Sequence, residues 1–191
     1  MSSPGNLIKK RSSNRVFKAV EFAAKAHTGQ YRKATKIPYI IHPLGVAEIL
    51  LKNNMPDDVV IAGLLHDTIE DTPVTIKQIE KQFGKVVANL VKGASEPDKA
   101  DTWENRKKHT IEYLKKAPMK IVYLSCADKL HNAKSILDDH NVHGDDVFKR
   151  FNRPKAQQKW YYTSLAETFI KRRPGHPLFQ EFKTIVKKIF G

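Results

Sequence analysis

The sequence has only one cysteine, Cys126, so a disulfide cannot form within the chain. Cys126 stands in an apolar run, which predicts a small core side chain rather than a catalytic thiol. The chain also lacks any apolar run of the roughly 18 residues that a membrane-spanning helix needs, and residues 1–14 lack the hydrophobic stretch of a signal peptide. These absences predict a cytoplasmic protein with no membrane partner.

Acidic residues are scarce relative to basic ones. The chain has 20 Asp and Glu against 34 Lys and Arg, which gives a formal net charge of +14. Such a surface favours polyanionic partners such as nucleotides and nucleic acids. The basic residues occur along the whole chain and form no basic tail, and each basic stretch alone is typical of a solvated helix face. The overall excess therefore indicates a phosphate-rich ligand.

Apolar side chains recur at helical spacing through most of the chain, and no alternating strand pattern competes with them. At 191 residues and 40% hydrophobic composition, the chain suits one domain with its own core. We therefore predict an all-α bundle of about eight to ten helices in a single domain over residues 1–191, with the C-terminal helices at 145–190 included in it.

Capping residues mark where several helices begin. Ser13 or Asn14 is expected to start the first helix. A capping box is expected at Thr75, because Gln78 follows three residues later. The acidic pair Asp57-Asp58 is expected to cap the helix that leads to the polar segment at residues 66–71.

That segment reads His66-Asp67-Thr68-Ile69-Glu70-Asp71 and follows the apolar run 59–65 directly. Carboxylates at the end of a buried helix are costly unless a cation compensates them. On a continuous helix His66 lies near Glu70, and Asp67 lies near both Glu70 and Asp71. The spacing predicts His66 and Asp67 as metal ligands, with Glu70 and Asp71 handling protons. A His-Asp pair alone can arise by chance, however, and acidic pairs at a helix end are common surface features.

A second buried carboxylate is expected in the apolar helix at 119–138, where Asp128, Asn132 and Ser135 share one face. His42, before Pro43, stands at the start of another helix. Two histidines and two aspartates from three helices suit Mn²⁺ or Fe²⁺ with open coordination positions, and disfavour a structural thiolate zinc site. As alternatives, Asp128 forms an ion pair with Lys129 or Arg32, and Asn132 is a core amide.

Four segments together resemble the HD-domain phosphohydrolases, and among them the hydrolase domain of RelA/SpoT proteins. They span most of residues 20–140, and the remaining residues offer no room for the synthetase domain. Segments 102–107 and 160–162 are similar to those of the stand-alone small alarmone hydrolases. The four segments are His27-Thr28-Gly29-Gln30-Tyr31-Arg32-Lys33, Pro38-Tyr39-Ile40-Ile41-His42-Pro43, Leu64-Leu65-His66-Asp67-Thr68-Ile69-Glu70-Asp71 and Ala127-Asp128-Lys129-Leu130-His131-Asn132.

The resemblance implies hydrolysis of the 3′-pyrophosphate of ppGpp or pppGpp, which yields GDP or GTP and pyrophosphate, with Mn²⁺ as cofactor. A metal-bound water, its pKa lowered towards neutrality, would attack phosphorus while a carboxylate positions it or removes its proton. The implied metal ligands are His42, His66, Asp67 and Asp128, and the implied catalytic pair is Glu70 and Asp71. The implied substrate contacts are Arg32, Lys33, Asn132, Ser135, Lys99, Arg106 and Tyr161.

Two other functions stay open at this point. The loop at 34–37 is longer than the Ser-Gly-Glu of the bifunctional enzymes, which favours the stand-alone branch and leaves the base specificity open. The same site on another purine nucleotide, such as NADPH or a nucleoside triphosphate, is therefore an alternative. A basic nucleic-acid-binding module with a vestigial site is a further alternative, but the sequence carries no recognised binding motif, so no nucleic acid partner is expected. The oligomeric state is left open.

Overall fold

The computed structural model describes residues 4–33, 35–96, 100–151 and 153–191, with side chains for all of these except 4–13 and 150. The described residues form ten α-helices and one 3₁₀ helix. Apart from an isolated antiparallel bridge between Tyr31 and Pro38, they contain no β-structure. The predicted all-α fold class is confirmed.

By its internal contacts the chain divides into two compact units. The first comprises Met1–Arg32 and Lys36–Ser95, and the second comprises Lys33–Thr35 and Glu96–Gly191. The single domain over residues 1–191 stays a prediction.

The first unit contains six helices. Helix α3 is its centre, because every residue from Val59 to Leu65 is buried and α1, α2 and α6 all pack against it. Helix α5 buries only Ile79 and Phe83 and packs against α6. The helices are α1 (Pro4–Ala26), α2 (Ile41–Lys52), α3 (Asp57–Leu65), α4 (Thr68–Asp71), α5 (Ile76–Phe83) and α6 (Lys85–Ala94).

The second unit is built around α8, whose residues 121–128 are all buried. Helix α10 packs against both α8 and α9, and α9 also contacts α7. Three buried phenylalanines pack between α9 and α10. The ring centroid of Phe169 lies 5.5 Å from that of Phe179 and 5.3 Å from that of Phe182. The elements are α7 (Trp103–Leu114), α8 (Met119–His143), the 3₁₀ helix (Gly144–Arg150), α9 (Lys155–Arg172) and α10 (Pro177–Phe190).

Several predicted helix boundaries were wrong. Helix α1 begins at Pro4 rather than at Ser13 or Asn14, since proline suits the first helical turn and no helix-breaking residue stands between Asn6 and Asn14. Pro56 is the N-cap of α3, so Asp57 and Asp58 lie in its first turn. There, their negative charges interact favourably with the positive end of the helix dipole. The capping box of Thr75 and Gln78 is confirmed.

No helix among the described residues has both the length and the apolar character needed to cross a bilayer.

Candidate functional site

Two histidines lie side by side in the interior of the first unit. His42 is the second residue of α2, and His66 follows the last residue of α3. Both side chains are buried, their ring centroids lie 5.2 Å apart, and a ring nitrogen of each lies within 4.8 Å of the other. The two imidazoles therefore share a confined space.

Local hydrogen bonds explain the backbone around His66. Its Nδ1 lies 2.8 Å from the carbonyl oxygen of Gly63, and the Thr68 hydroxyl donates to the carbonyl of Leu65 at 2.7 Å. These side chains take carbonyls that backbone amides would bond in a continuous helix, so α3 ends at Leu65 and the single turn α4 starts at Thr68. The prediction of one uninterrupted helix through residues 66–71 was wrong for this reason.

The same bond fixes the tautomer of His66. A carbonyl oxygen only accepts, so Nδ1 carries a proton and Nε2 of the neutral ring bears a lone pair. Asp67 Oδ2 lies 3.1 Å from that Nε2 and 3.5 Å from His42 Nε2. We call His42, His66 and Asp67 the histidine cluster.

The histidine cluster fits a divalent cation. With the His66 ring neutral, its Nε2 and the Asp67 carboxylate would direct lone pairs into the same space, and a cation there would replace repulsion with attraction. Imidazole nitrogen together with carboxylate oxygen is a donor set found for manganese, iron and zinc. The hydrogen bond from His66 Nδ1 to Gly63 is the kind of outer contact that orients a metal-ligating histidine.

The predicted catalytic pair lies one turn beyond the histidine cluster. The amides of Glu70 and Asp71 donate to the carbonyl of Asp67 at 3.1 and 2.9 Å, so the backbone stays helical across this turn. Glu70 is half-buried and Asp71 is exposed. The Tyr39 hydroxyl donates to Asp67 Oδ2 at 2.7 Å and lies 3.4 Å from Asp71 Oδ2. Asp67 and Asp71 therefore face one hydroxyl, in agreement with the predicted spacing.

In the second unit, Asp128 is buried on α8 and is engaged from two sides. Lys129 Nζ lies 2.8 Å from its Oδ2, and the Asn132 amide donates to its Oδ1 at 2.7 Å. Burial alone would lower the pKa of Lys129, but the Asp128 carboxylate raises that pKa well above its usual value. The ion pair between Asp128 and Lys129, one of the alternatives that the sequence left open, is thus present. The role of Asp128 as a metal ligand stays a prediction.

The second unit also holds a partly buried group of charges, Glu96, Arg106 and Lys107, which we call the basic cluster. Glu96 Oε2 lies 3.1 Å from Arg106 Nη1, and Glu96 Oε1 forms an ion pair with Lys107. Burial opposes ionisation of Glu96, yet Lys107 and its neighbours lower the pKa of Glu96 overall. Burial, assisted by the charge of Lys129, lowers the pKa of Lys107. Each cation of the basic cluster thus already has a carboxylate partner.

Tyr161 forms one wall of the basic cluster. Lys107 Nζ lies 5.2 Å from its ring centroid, and the ring also contacts Trp103, with centroids 6.0 Å apart. Its side chain is 3% exposed, and burial raises the pKa of Tyr161 to about 12. These contacts are typical of a packing aromatic, and the contact of Tyr161 with a substrate stays a prediction.

The other predicted substrate contacts lie in varied surroundings. The Arg32 guanidinium lies 5.6 Å from the ring centroid of Tyr39, and Lys33 is exposed. Ser135 is half-buried on α8. Lys99 lies outside the described residues.

Sequence reasoning assigned no role to Gln30, Tyr39 and Glu96, which contact predicted site residues, or to His27, which contacts Gln30 and Tyr39. Gln30 donates from Nε2 to the carbonyl of Asp71 at 2.6 Å, and its Oε1 lies 2.7 Å from His27 Nδ1. Three of these residues stand inside the segments that carry the family resemblance, which is the signal that pointed to them. Glu96 has no such signal, because its partners follow it by ten and eleven residues, a spacing that no helical or strand period predicts.

Comparison with known proteins agrees with this geometry. The HD domain family model matches residues 19–153. The guanosine-3′,5′-bis(diphosphate) 3′-pyrophosphohydrolase MESH1 of Xenopus tropicalis is 40% identical over 124 residues, which cover 63% of this chain and 69% of that protein. The guanosine-3′,5′-bis(diphosphate) 3′-pyrophosphohydrolase of Haemophilus influenzae is 37% identical over 120 residues, but the chain spans only 17% of its length.

A solved structure extends the match beyond the HD segment. The structure of a metazoan ortholog of SpoT, described as hydrolysing ppGpp and acting in starvation responses, has 25% sequence identity and a TM-score of 0.74. The likeness covers 91% of this chain and 94% of that one. On these matches, the chain belongs to the HD-domain family, of the RelA/SpoT hydrolase type.

Proposed function

We propose that this protein hydrolyses the 3′-pyrophosphate of ppGpp and pppGpp. Water adds to a phosphorus atom, the bond from the ribose 3′-oxygen to that phosphorus breaks, and GDP or GTP and pyrophosphate leave. The observation that supports this most directly is the buried histidine cluster, in a chain 40% identical to a stand-alone protein named for this reaction.

We propose that His42, His66, Asp67 and Asp128 hold the metal ion, and that this ion is Mn²⁺. The first three share one confined space, and Asp128 is assigned through its motif and its burial. Bound there, Mn²⁺ would supply Lewis-acid activation of a water molecule and of the phosphate under attack.

Glu70 and Asp71 are proposed to handle the protons of the reaction. Both lie on the single turn that follows Asp67, and the Tyr39 hydroxyl lies 3.4 Å from the Asp71 carboxylate. One of the two carboxylates would orient the attacking water and accept its proton, and that proton would then be returned to the leaving 3′-oxygen.

Binding of the nucleotide is assigned to the remaining predicted residues. Positive charge at Arg32, Lys33, Lys99 and Arg106 would meet phosphates, in accord with the net charge of +14. Asn132, Ser135 and Tyr161 are assigned to the nucleoside. The Asn132 amide already bonds Asp128, so it would link the nucleoside to the ligand set.

A substrate panel tests the proposal. The purified protein is incubated with Mn²⁺ and ppGpp, pppGpp, NADPH, GTP or ATP, and pyrophosphate and orthophosphate are measured separately. We expect pyrophosphate from the two alarmones only. An Asp67→Ala preparation made in parallel controls for contaminating hydrolases. Orthophosphate from NADPH, or triphosphate cleavage without alarmone cleavage, would replace this substrate assignment by another purine nucleotide.

A further inference from the structure

Tyr39 contacts both a predicted metal ligand, Asp67, and a predicted catalytic residue, Asp71. Its hydroxyl donates to Asp67 Oδ2 at 2.7 Å and lies 3.4 Å from Asp71 Oδ2. Asp67 belongs to the histidine cluster, and Asp71 belongs to the proposed catalytic pair. A single hydroxyl thus lies between the carboxylate that would bind the metal ion and one that would move a proton.

The ring of Tyr39 is held by packing from two sides. Its centroid lies 4.8 Å from that of His27 and 5.9 Å from that of His42. The ring therefore contacts one predicted metal ligand, His42, while its hydroxyl reaches another, Asp67. Packing of this kind limits the positions that the hydroxyl can take.

The backbone next to Tyr39 is fixed as well. The bridge between Tyr31 and Pro38 closes the loop before it, and the Tyr39 amide donates to the carbonyl of Gln30 at 2.9 Å. The side chain of Gln30 donates in turn to the carbonyl of Asp71 at 2.6 Å. The loop is thereby tied to α4 through two contacts, the Tyr39 hydroxyl and the Gln30 amide.

We propose that Tyr39 is a positioning residue that holds the Asp67 carboxylate in the orientation that binds the metal ion. Asp67 Oδ2 faces His42 and His66, so the negative charge of the carboxylate has to stay between two imidazoles before any cation arrives. A fixed donor at 2.7 Å stabilises that orientation. The inference rests on the proposed metal site and adds a residue that the resemblance does not assign.

Tyr39→Phe tests this, because it removes the hydroxyl and keeps the ring that packs on His27 and His42. The matched control is Tyr31→Phe, since Tyr31 stands on the other arm of the same bridge and is 60% exposed. Mn²⁺ affinity is measured by calorimetric titration of the metal-free proteins. Loss of an outer contact to a metal ligand typically weakens binding by about 10-fold to 100-fold, and we expect a loss in that range for Tyr39→Phe and none for Tyr31→Phe.

A second readout separates positioning from general stability. Thermal unfolding in the presence of a chelator should give the same midpoint for Tyr39→Phe and Tyr31→Phe, and added Mn²⁺ should raise the midpoint less for Tyr39→Phe. Equal Mn²⁺ affinity for Tyr39→Phe and the wild type would overturn the positioning role while leaving the metal site intact. A wild type that does not bind Mn²⁺ in the same titration would overturn the proposed metal site and this inference together.

Discussion

The histidine cluster and the basic cluster are both partly or fully buried groups of ionisable side chains, but their charges are balanced in opposite ways. In the histidine cluster, Asp67 faces two imidazoles, and Nε2 of His66 bears a lone pair in the neutral ring. In the basic cluster, one carboxylate, Glu96, already meets two cations. An added cation would therefore be attracted to the histidine cluster. An added anion at the basic cluster would meet only cations that already pair with Glu96.

This difference shows why burial of charge alone does not identify a site. Both clusters remove ionised groups from water, which is costly unless partners compensate. The basic cluster supplies its own partners and is stable as it stands. The histidine cluster brings two imidazoles and a carboxylate to one point, a donor set that suits a metal ion from outside the chain.

The largest expected effect is at Asp67. Asp67→Ala removes the oxygen that both imidazoles face, so Mn²⁺ affinity should fall by roughly 100-fold or more and turnover should be lost. Mn²⁺ titration and pyrophosphate release measure the two effects. Asp57→Ala, in the first turn of α3, is the matched control and should keep both properties. Unchanged Mn²⁺ affinity in Asp67→Ala would remove the contrast between the clusters.

The second effect concerns rate alone. Glu70→Gln keeps the size of the side chain but cannot accept a proton, so kcat should fall by roughly 10²-fold or more while Mn²⁺ binding stays at the wild-type level. Glu80→Gln, on the exposed face of α5, controls for the loss of one acidic charge. Wild-type turnover in Glu70→Gln would exclude Glu70 from the chemistry and leave Asp71 as the candidate.

The all-α class and the four motif segments could be predicted from the sequence, because helical periodicity and residue order are local properties. His42, His66 and Asp67 were found in this way, and they meet in the first unit as expected. The interruption after Leu65 was missed, because it arises when the side chains of His66 and Thr68 compete with the backbone for carbonyls. Propensity does not report such competition.

Contacts between separate segments could not be predicted from the sequence, for a different reason. The position of the Tyr39 hydroxyl depends on the bridge between Tyr31 and Pro38, and the pairing of Glu96 with Arg106 depends on the path of the chain before α7. Neither follows from periodicity, since each contact joins residues that do not belong to one regular helix. Arg106 was therefore predicted as a phosphate contact without its partner Glu96.

The basic cluster gives a smaller effect of opposite sign. Glu96→Gln removes the carboxylate that holds Arg106, so the KM for ppGpp should fall by roughly threefold to tenfold, the scale of one partly exposed ion pair. Arg106→Gln should raise KM instead. Glu181→Gln, which breaks an exposed pair with Lys134 in the same unit, is the control and should leave KM unchanged.

Ionic strength sharpens this test. Interactions between exposed charges are screened at about 0.1 M salt, whereas partly buried pairs are screened less. KM of the wild type should therefore rise with salt through its exposed lysines, while the ratio between wild type and Glu96→Gln should persist. A ratio that vanishes at high salt would mean that Glu96 acts through long-range charge rather than by holding Arg106.

The smallest effect is one of stability without function. Thr75 accepts from the Gln78 amide at the start of α5, and Thr75→Ala should lower the free energy of unfolding by about 1 kcal/mol, as loss of an N-cap does. Denaturant unfolding followed by circular dichroism measures this change. Neither cluster contains an atom of this cap, so Mn²⁺ affinity and KM should match the wild type.

Thr75→Ala also fixes how the larger effects are understood. It weakens the unit that contains the histidine cluster without touching His42, His66 or Asp67. If its Mn²⁺ affinity stays at the wild-type value, a loss of affinity in Asp67→Ala cannot be the result of lower stability, and it must come from the missing carboxylate. If its Mn²⁺ affinity falls along with stability, metal binding is coupled to folding of the first unit. A preformed histidine cluster would then not explain the contrast with the basic cluster.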